Sequence, residues 1–134
     1  MKLDDLLQRL FPRGSQVSMD GSIVSGTGET SRGPVAVAGT VDGVRLGARE
    51  LLALSDYMLR VMRETPGRPI LLLVDTAGQA MALQEELLGL NEYLAHCVKV
   101  QDAARRRGHR VIALVYGQAV AGAFIAFGLC AGRT

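Results

Sequence analysis

The sequence has no tryptophan, only three tyrosines and three phenylalanines, and only two cysteines among its 134 residues. Cys97 and Cys130 lie in apolar stretches and form no CxxC pair, so we expect buried thiols in a reducing compartment, not a disulfide framework. His96 and His109 lack the spacing of metal ligands, and we expect both at the surface with no metal bound. The sequence therefore predicts a fold that is stabilised by aliphatic side chains, without disulfide or metal cross-links.

An excess of one sign of charge is also missing. Fifteen Lys and Arg residues stand against 13 Asp and Glu residues, which gives a net charge of +2. This balance, without a basic block, argues against a nucleic-acid-binding protein, and an apolar fraction of 49% argues against disorder. The length predicts one domain across residues 1–134, and the acidic residues at positions 4 and 5 argue against a signal peptide. We expect a cytoplasmic protein.

Residues 111–132 carry no charge and are numerous enough to cross a bilayer. The segment divides internally, because residues 111–116 are rich in β-branched side chains and Gly117-Gln118 follows them as a break. Only residues 119–132 then remain for a helix, which is too short to span. We therefore expect a buried strand and a core helix here, with no membrane association.

The first half of the chain predicts a short amphipathic helix and several strands. Leucines at helical spacing indicate a helix over residues 3–11, and residues 22–27 give a weak strand signal before a turn at 29–33. Residues 34–40 (PVAVAGT) predict a buried strand. Asp42-Gly43 then predicts a tight turn into residues 44–46, as a hairpin or a sharp corner.

The second half repeats one unit twice: a buried strand, a loop that contains glycine, and a helix. An amphipathic helix from Ala48 leads into a buried strand over residues 69–75, a loop at 76–79 and a long helix from Ala80 to Arg107, with Gly108 as its cap. A second strand over residues 110–116 is followed by a turn at 117–120 and a helix of small residues. Such units build a parallel sheet with right-handed crossovers, and ligands bind beyond the carboxyl ends of its strands.

The two loops at those carboxyl ends, residues 75–80 and 117–123, are the candidate site. Backbone N–H groups at the start of a helix have no partner within the helix, and Gly78 and Gly122 would let a substrate oxygen approach them closely. Facing one thioester carbonyl, these amides would stabilise an enolate oxygen without a side-chain nucleophile. The alternative is that the glycines only allow close packing of helix on strand. No Walker sequence or GxGxxG spacing supports nucleotide binding.

Other polar groups are weaker candidates. Glu85-Glu86 fits a solvated pair in the first turns of a helix, and Ser55 lies on an apolar stripe, so neither suggests catalysis. Asp75 is expected to cap a loop. Residues 105–107 with Arg110 form a basic cluster that suits a helix end, or that could receive an acidic carrier or a cofactor phosphate.

Two motifs carry a family resemblance. VDTAGQAMALQEELLGL at residues 74–90 resembles the Asp-Thr-(Pro/Ala)-Gly loop and following helix of acyl-CoA carboxyltransferase subunits, and YGQAVAGAFIAFG at 116–128 resembles the second oxyanion loop of the crotonase superfamily. With the preceding VAVAGTVDG, they look most like the gamma subunit of biotin-independent malonate decarboxylase. Where many crotonase relatives have three glycines, this chain has Ala121-Gly122-Ala123.

The resemblance implies an α/β crotonase-like fold of repeated β-β-α units, incomplete at the carboxyl terminus in this chain. It implies a subunit that acts beside a homologous beta subunit and converts malonyl to acetyl on an acyl-carrier subunit with release of CO2. That carrier would bear a coenzyme-A-like prosthetic group, without biotin and without a tightly bound cofactor in this subunit. An acyl-CoA carboxyltransferase, an enoyl-CoA hydratase-like enzyme and a non-catalytic supporting subunit remain the alternatives.

By motif position, the resemblance also implies which residues form the site. The catalytic group would comprise Gly78 and Gln79 in the first loop and Gly122 and Ala123 in the second. The residues expected to border the substrate are Ala80, Gly117, Gln118 and Ala121.

Overall fold

The structure is a computed structural model that describes residues 1–79, 89–119 and 132. Its amino-terminal part contains one short helix and a meander of three antiparallel strands. These elements are α1 (Leu3–Leu10), β1 (Ser15–Asp20), β2 (Ile23–Thr30) and β3 (Gly33–Thr40). The predicted helix and the predicted buried strand at 34–40 are confirmed, and the weak strand signal at 22–27 falls within β2.

Strand β1 is absent from the sequence-based prediction because its side chains are nearly all exposed. Exposure on both faces removes the alternation of apolar and polar residues that marks a half-buried strand. Backbone pairing along its whole length holds β1 against β2, from Ser15 opposite Gly28 to Asp20 opposite Ile23.

The remaining part of the chain forms the predicted parallel arrangement. Strands β3, β4 and β6 all run parallel to β5, with β3 along the first part of β5 and β4 along its last part. The elements are β4 (Val44–Leu46), α2 (Ala48–Glu64), β5 (Ile70–Gln79), α3 (Leu90–Arg106) and β6 (Val111–Ala119). The resulting fold is mixed α/β, as expected.

Strand β5 is buried on both faces, as its continuous apolar sequence predicts. Ile70, Leu72 and Val74 pack in the large core cluster that α2 and α3 cover. Leu73 lies in a second cluster on the opposite face, where Phe11 and residues of α1 cover it. Because successive side chains of a strand point to opposite faces, one ten-residue segment supports both halves of the core.

The turn at Asp42-Gly43 is a corner and not a hairpin. Both residues have positive φ, 60° and 57°, and the N–H of Val44 donates to the Val41 carbonyl at 3.3 Å. The strands on either side of it, β3 and β4, both run parallel to β5, so the hairpin alternative is wrong. The turn leads from β3, which pairs with the first part of β5, to β4, which pairs with the last part of β5.

Three predicted boundaries are wrong. The loop expected at 76–79 continues β5, because Gly78 and Gln79 pair with β4, and the turn expected at 117–120 begins with the last three residues of β6. The long helix does not run unbroken from Ala80, because Gly89 has a left-handed conformation (φ 76°) directly before α3. Residues 80–88 and the helix of small residues expected after residue 119 lie outside the described residues.

The carboxyl end of α3 closes as predicted. Gly108 has φ +89° and its N–H donates to the Arg105 carbonyl at 3.1 Å, while the N–H of His109 donates to the Ala104 carbonyl at 3.0 Å. These two bonds form a Schellman motif, in which glycine is favoured by its positive φ. On the same helix, Cys97 is fully buried as expected, and its sulfur accepts a hydrogen bond from Gln101 Nε2 at 3.7 Å. Cys130 lies outside the described residues.

His96 is exposed as predicted, but the surface position predicted for His109 is wrong. The His109 side chain is only 3% exposed and bridges two connections of the chain. Its Nε2 accepts the N–H of Gly67 at 3.4 Å, so in the neutral ring Nδ1 carries the proton and donates it to the Arg68 carbonyl, 2.8 Å away. His109 thereby joins the turn before β5 to the residues before β6.

None of the helices in residues 1–79 and 89–119 combines the length and the apolar character that crossing a bilayer requires.

Replacing His109 with alanine should lower the free energy of unfolding by about 2 kcal/mol, because two part-buried hydrogen bonds and the packing of the buried ring are lost. Urea unfolding of the purified protein measures the change. His96→Ala, an exposed substitution on α3, is the matched control and should stay within about 0.5 kcal/mol of the parent. Equal effects of the two substitutions would contradict the bridging role.

Candidate functional site

The carboxyl ends of β5 and β6 lie side by side. The two strands are adjacent and parallel, with Val74 opposite Val115 and Thr76 opposite Ala119. The two segments singled out from the sequence therefore leave the sheet at its carboxyl end, where ligands of open α/β sheets bind. Of the predicted site residues, Gly78, Gln79, Gly117 and Gln118 are described, whereas Ala80, Ala121, Gly122 and Ala123 lie outside the described residues.

The amide of Gly78 is engaged within the protein. Its N–H donates to Thr76 Oγ1 at 3.1 Å, and the preceding N–H of Ala77 donates to the Gly43 carbonyl at 3.2 Å. Gly78 itself is buried, with φ +111°, a conformation that L side chains rarely adopt. The expectation of an unpartnered donor at Gly78 is thus not met, because β5 continues past Asp75 and pairs with β4.

Thr76 organises this end of β5. Its side chain is fully buried, and its hydroxyl lies 2.7 Å from the Val44 carbonyl, to which it donates. The same oxygen accepts the N–H of Gly78. One hydroxyl thus connects β4 to β5 and fixes the backbone conformation between Thr76 and Gly78.

On the neighbouring strand, the amide of Gln118 is also engaged. Its N–H donates to Asp75 Oδ1 at 2.9 Å, so the carboxylate of β5 reaches across to the backbone of β6. Gly117 makes this possible, since a Cβ at that position would lie 2.3 Å from Asp75 Cγ. The prediction that Asp75 caps a loop is wrong, because its carboxylate binds the backbone of the adjacent strand β6.

Thr40, at the end of β3, contacts both strands. Its Oγ1 accepts the N–H of Asp75 at 3.0 Å, and its carbonyl accepts the hydroxyl proton of Tyr116 at 2.6 Å. Thr40 is fully buried, so it provides a fixed anchor. Sequence reasoning did not select Thr40 or Tyr116, although each is a polar residue at the end of an apolar strand, which is the signal that could have indicated them.

The Tyr116 phenol stays protonated at neutral pH. Burial, followed by the negative charges of Asp75 and Asp42, raises the pKa of Tyr116 to about 12. The three side chains line a groove of about 360 Å³ together with Val41, Met19 and the first four residues of the chain. Tyr116 therefore keeps its proton, which it donates to the Thr40 carbonyl, and is not a base at physiological pH.

The basic cluster lies at the other end of the sheet. Arg105 and Arg110 border a cavity of about 350 Å³ beside Val111 and Ile112, at the amino end of β6. Arg105 and Arg106 both pair with Asp102, at 3.4 and 2.8 Å, which reduces the charge available to a ligand. The cluster is thus separate from the carboxyl-end site, and a role in receiving a carrier stays a prediction.

Two other residues singled out from the sequence do not join the site. Ser55 is fully buried on α2, as its apolar stripe predicts, and Glu85-Glu86 lies outside the described residues. Among the residues that the structure describes, no group of three His, Cys, Asp or Glu side chains is placed to hold a metal ion.

Comparison with known proteins assigns the family. The profile of the malonate decarboxylase gamma subunit matches residues 41–134, which is most of the chain and includes both loops. The chain belongs to the malonate decarboxylase gamma-subunit family. A curated relative of this family member, the malonyl-S-ACP:biotin-protein carboxyltransferase MADD of Malonomonas rubra, is 36% identical over 104 residues, 76% of this chain and 35% of the relative.

Solved structures agree with this assignment. The MdcD-MdcE hetero-dimer of Pseudomonas malonate decarboxylase is 30% identical, with a TM-score of 0.76 over 96% of this chain and 56% of the matched one. Transcarboxylase 12S, at 14% identity and a TM-score of 0.78 over 94% of this chain and 25% of the matched one, shares the fold. The expected crotonase-like fold is confirmed. This gamma-subunit family member spans about a third to a half of the length of these first relatives.

The raised pKa of Tyr116 predicts a loss of stability in alkali. The folded state holds the phenol proton up to about pH 12, whereas the unfolded chain releases it near pH 10, so the free energy of unfolding should fall between these values. Tyr116→Phe should make that decline shallower, although the half-buried Tyr57, whose pKa burial also raises, keeps part of the decline. Urea unfolding at a series of pH values measures both proteins, and an unchanged decline in Tyr116→Phe would contradict this assignment.

Proposed function

We propose that this chain is the part of a malonate decarboxylase gamma subunit that helps convert a malonyl thioester to an acetyl thioester and CO2. The observation that carries the proposal is the register of β5 and β6, which brings the two loops of the matched family to one edge of the sheet. Binding sites of parallel α/β sheets form at such edges.

The chemistry needs stabilisation of negative charge more than it needs a nucleophile. The bond between the malonyl carboxylate and the adjacent carbon breaks, CO2 leaves, and the electron pair moves into an enolate whose charge rests on the thioester oxygen. A proton then adds to the carbon and gives the acetyl group. Main-chain N–H groups aimed at that oxygen lower the barrier, and one such donor is worth roughly 3 to 4 kcal/mol in other enzymes.

The engaged amides narrow the choice of donors. The N–H groups of Ala77, Gly78 and Gln118 already donate within the protein. The backbone of Gln79 pairs with β4. We therefore assign the donor of the first loop to Ala80, and the donors of the second loop to Gly122 and Ala123.

The other predicted site residues would shape the pocket. Gly78, with its positive φ, would turn the first loop toward the substrate, while Gly117, Gln118 and Ala121 would border the substrate.

We further propose a partner subunit and a carrier. The Pseudomonas relative is solved as a hetero-dimer, and as a hetero-tetramer in complex with coenzyme A. By analogy, a homologous beta subunit would close the site of this protein, and an acyl-carrier subunit would deliver the malonyl group on a coenzyme-A-like arm. We place this assembly in the cytoplasm.

Replacing Gly122 with valine should abolish turnover in the reconstituted complex while leaving assembly intact, because the added side chain occupies the space of the thioester oxygen. Release of CO2 from the malonyl carrier measures turnover, and size-exclusion chromatography measures assembly. Ala95→Val, at an exposed position of α3 outside both loop segments, adds comparable bulk and should leave turnover unchanged. Turnover of Gly122→Val at the parent rate would refute the assignment of the donors.

A second candidate follows from the curated relative, which is named as a carboxyltransferase that acts on a biotin protein. In that reaction the carboxyl group passes to biotin instead of leaving as CO2. The two candidates differ in their requirement: a decarboxylase releases CO2 from the malonyl carrier without a biotin protein, whereas a transferase leaves the carrier unchanged until biotinylated acceptor is added. We expect release without acceptor, and strict dependence on biotin would favour the second candidate.

A further inference from the structure

We propose that Asp75 is a positioning residue, which sets the direction in which the second loop leaves the sheet. The inference rests on the proposed function for its effect on turnover, but the contact itself stands on geometry alone. Among the described residues of β5 and β6, the pairing of the two strands loses its regular register at Asp75. We infer that the contact that joins the two strands at this point sets the direction in which the chain continues after Ala119.

The irregularity gives β6 two more residues than β5. Val74 is opposite Val115 and Thr76 is opposite Ala119, so a single residue of β5, Asp75, faces three residues of β6. Extra residues in a strand bend it and leave backbone groups without their ladder partners. The carboxylate of Asp75 supplies such a partner, because its Oδ1 accepts the N–H of Gln118 at 2.9 Å.

Gly117 and Asp75 fit each other. A Cβ on Gly117 would stand 2.3 Å from both Cγ and Oδ1 of Asp75 and 2.8 Å from Oδ2. Distances under 3.0 Å are essentially never seen for real Cβ atoms, so any larger residue at 117 has to displace the carboxylate. Gly117 does not have a positive φ in this structure, so the need for glycine here is one of space.

The backbone that carries the Asp75 carboxylate is held in place by β3. The N–H of Asp75 donates to Oγ1 of the fully buried Thr40, whose carbonyl accepts the hydroxyl proton of Tyr116. Both strands that face each other at the irregularity are thereby tied to β3. Asp75 can transmit this fixed position to Gln118, which lies four residues before Gly122.

A hydrogen-bond acceptor suffices for this role, and a negative charge is not required. Asparagine at position 75 keeps an oxygen for the N–H of Gln118, whereas alanine removes it. The competing interpretation is that Asp75, which also lines the groove with Asp42 and Tyr116, handles a proton in the reaction. Asparagine cannot do so at neutral pH, and this difference separates the two roles.

The first measurement is turnover of the reconstituted complex. Asp75→Ala and Gly117→Ala should each lower kcat by about 100-fold with KM within about twofold, as a displacement of about 1 Å does elsewhere, while Asp75→Asn should stay within about threefold of the parent. The double variant Asp75→Ala/Gly117→Ala should be no worse than either single one, because both remove the same contact. Asp56→Ala, an exposed position on α2, is the matched control and should keep full turnover.

The second measurement is hydrogen exchange at the Gln118 amide in the same complexes, which does not depend on any activity. Protection should be present in the parent and in Asp75→Asn, and reduced at least tenfold in Asp75→Ala and Gly117→Ala. Unchanged protection in both alanine variants, or an Asp75→Asn protein as inactive as Asp75→Ala, would overturn the proposal.

If neither the parent nor any variant turns over malonyl carrier, the proposed function fails, and the exchange data still decide whether the contact exists. Should Asp75→Ala not fold, Asp75→Asn and Gly117→Ala provide both readouts.

Discussion

The parallel pairing of β5 with β6 is the constraint on which the rest of the structure depends. It holds β5 inside the sheet, where α2 and α3 cover one face and α1 covers the other, so that both core clusters share one ten-residue strand. The same pairing brings two loop segments that are about 40 residues apart in sequence to one edge of the sheet. A pair of antiparallel strands would send these segments to opposite ends of the molecule.

The carboxyl end of the sheet already contains several hydrogen bonds within the protein. Thr40, Asp75 and Thr76 satisfy or anchor the backbone there through their side chains, and the amides of Gly78 and Gln118 are used in doing so. This arrangement is physically reasonable, because donors that must hold an oxygen in a fixed place need rigid backbone behind them. In the proposed function, these internal contacts support the site and are not themselves its donors.

The two ends of the sheet differ in chemistry. The carboxyl end presents Asp42, Asp75 and a protonated Tyr116, while the amino end carries the exposed arginines near α3. The arginines stand at the carboxyl terminus of a helix, where the dipole favours positive charge, and two of them pair with Asp102. The position of these arginines is therefore explained by the stability of the helix, without the need for a ligand.

The sequence by itself determined the elements whose signals are local. The apolar periodicity of α1 and α2, the uninterrupted apolar run of β5, the turn at Asp42-Gly43 and the cap at Gly108 depend on side chains within a few positions of one another. Only the tertiary structure decided that Gly78 belongs to a strand, that His109 is buried, and that Asp75 holds the amide of Gln118, 43 residues away. These features depend on pairing between distant segments, since a backbone amide finds its partner only when another strand lies beside it, and a linear pattern of residue types does not contain that neighbour.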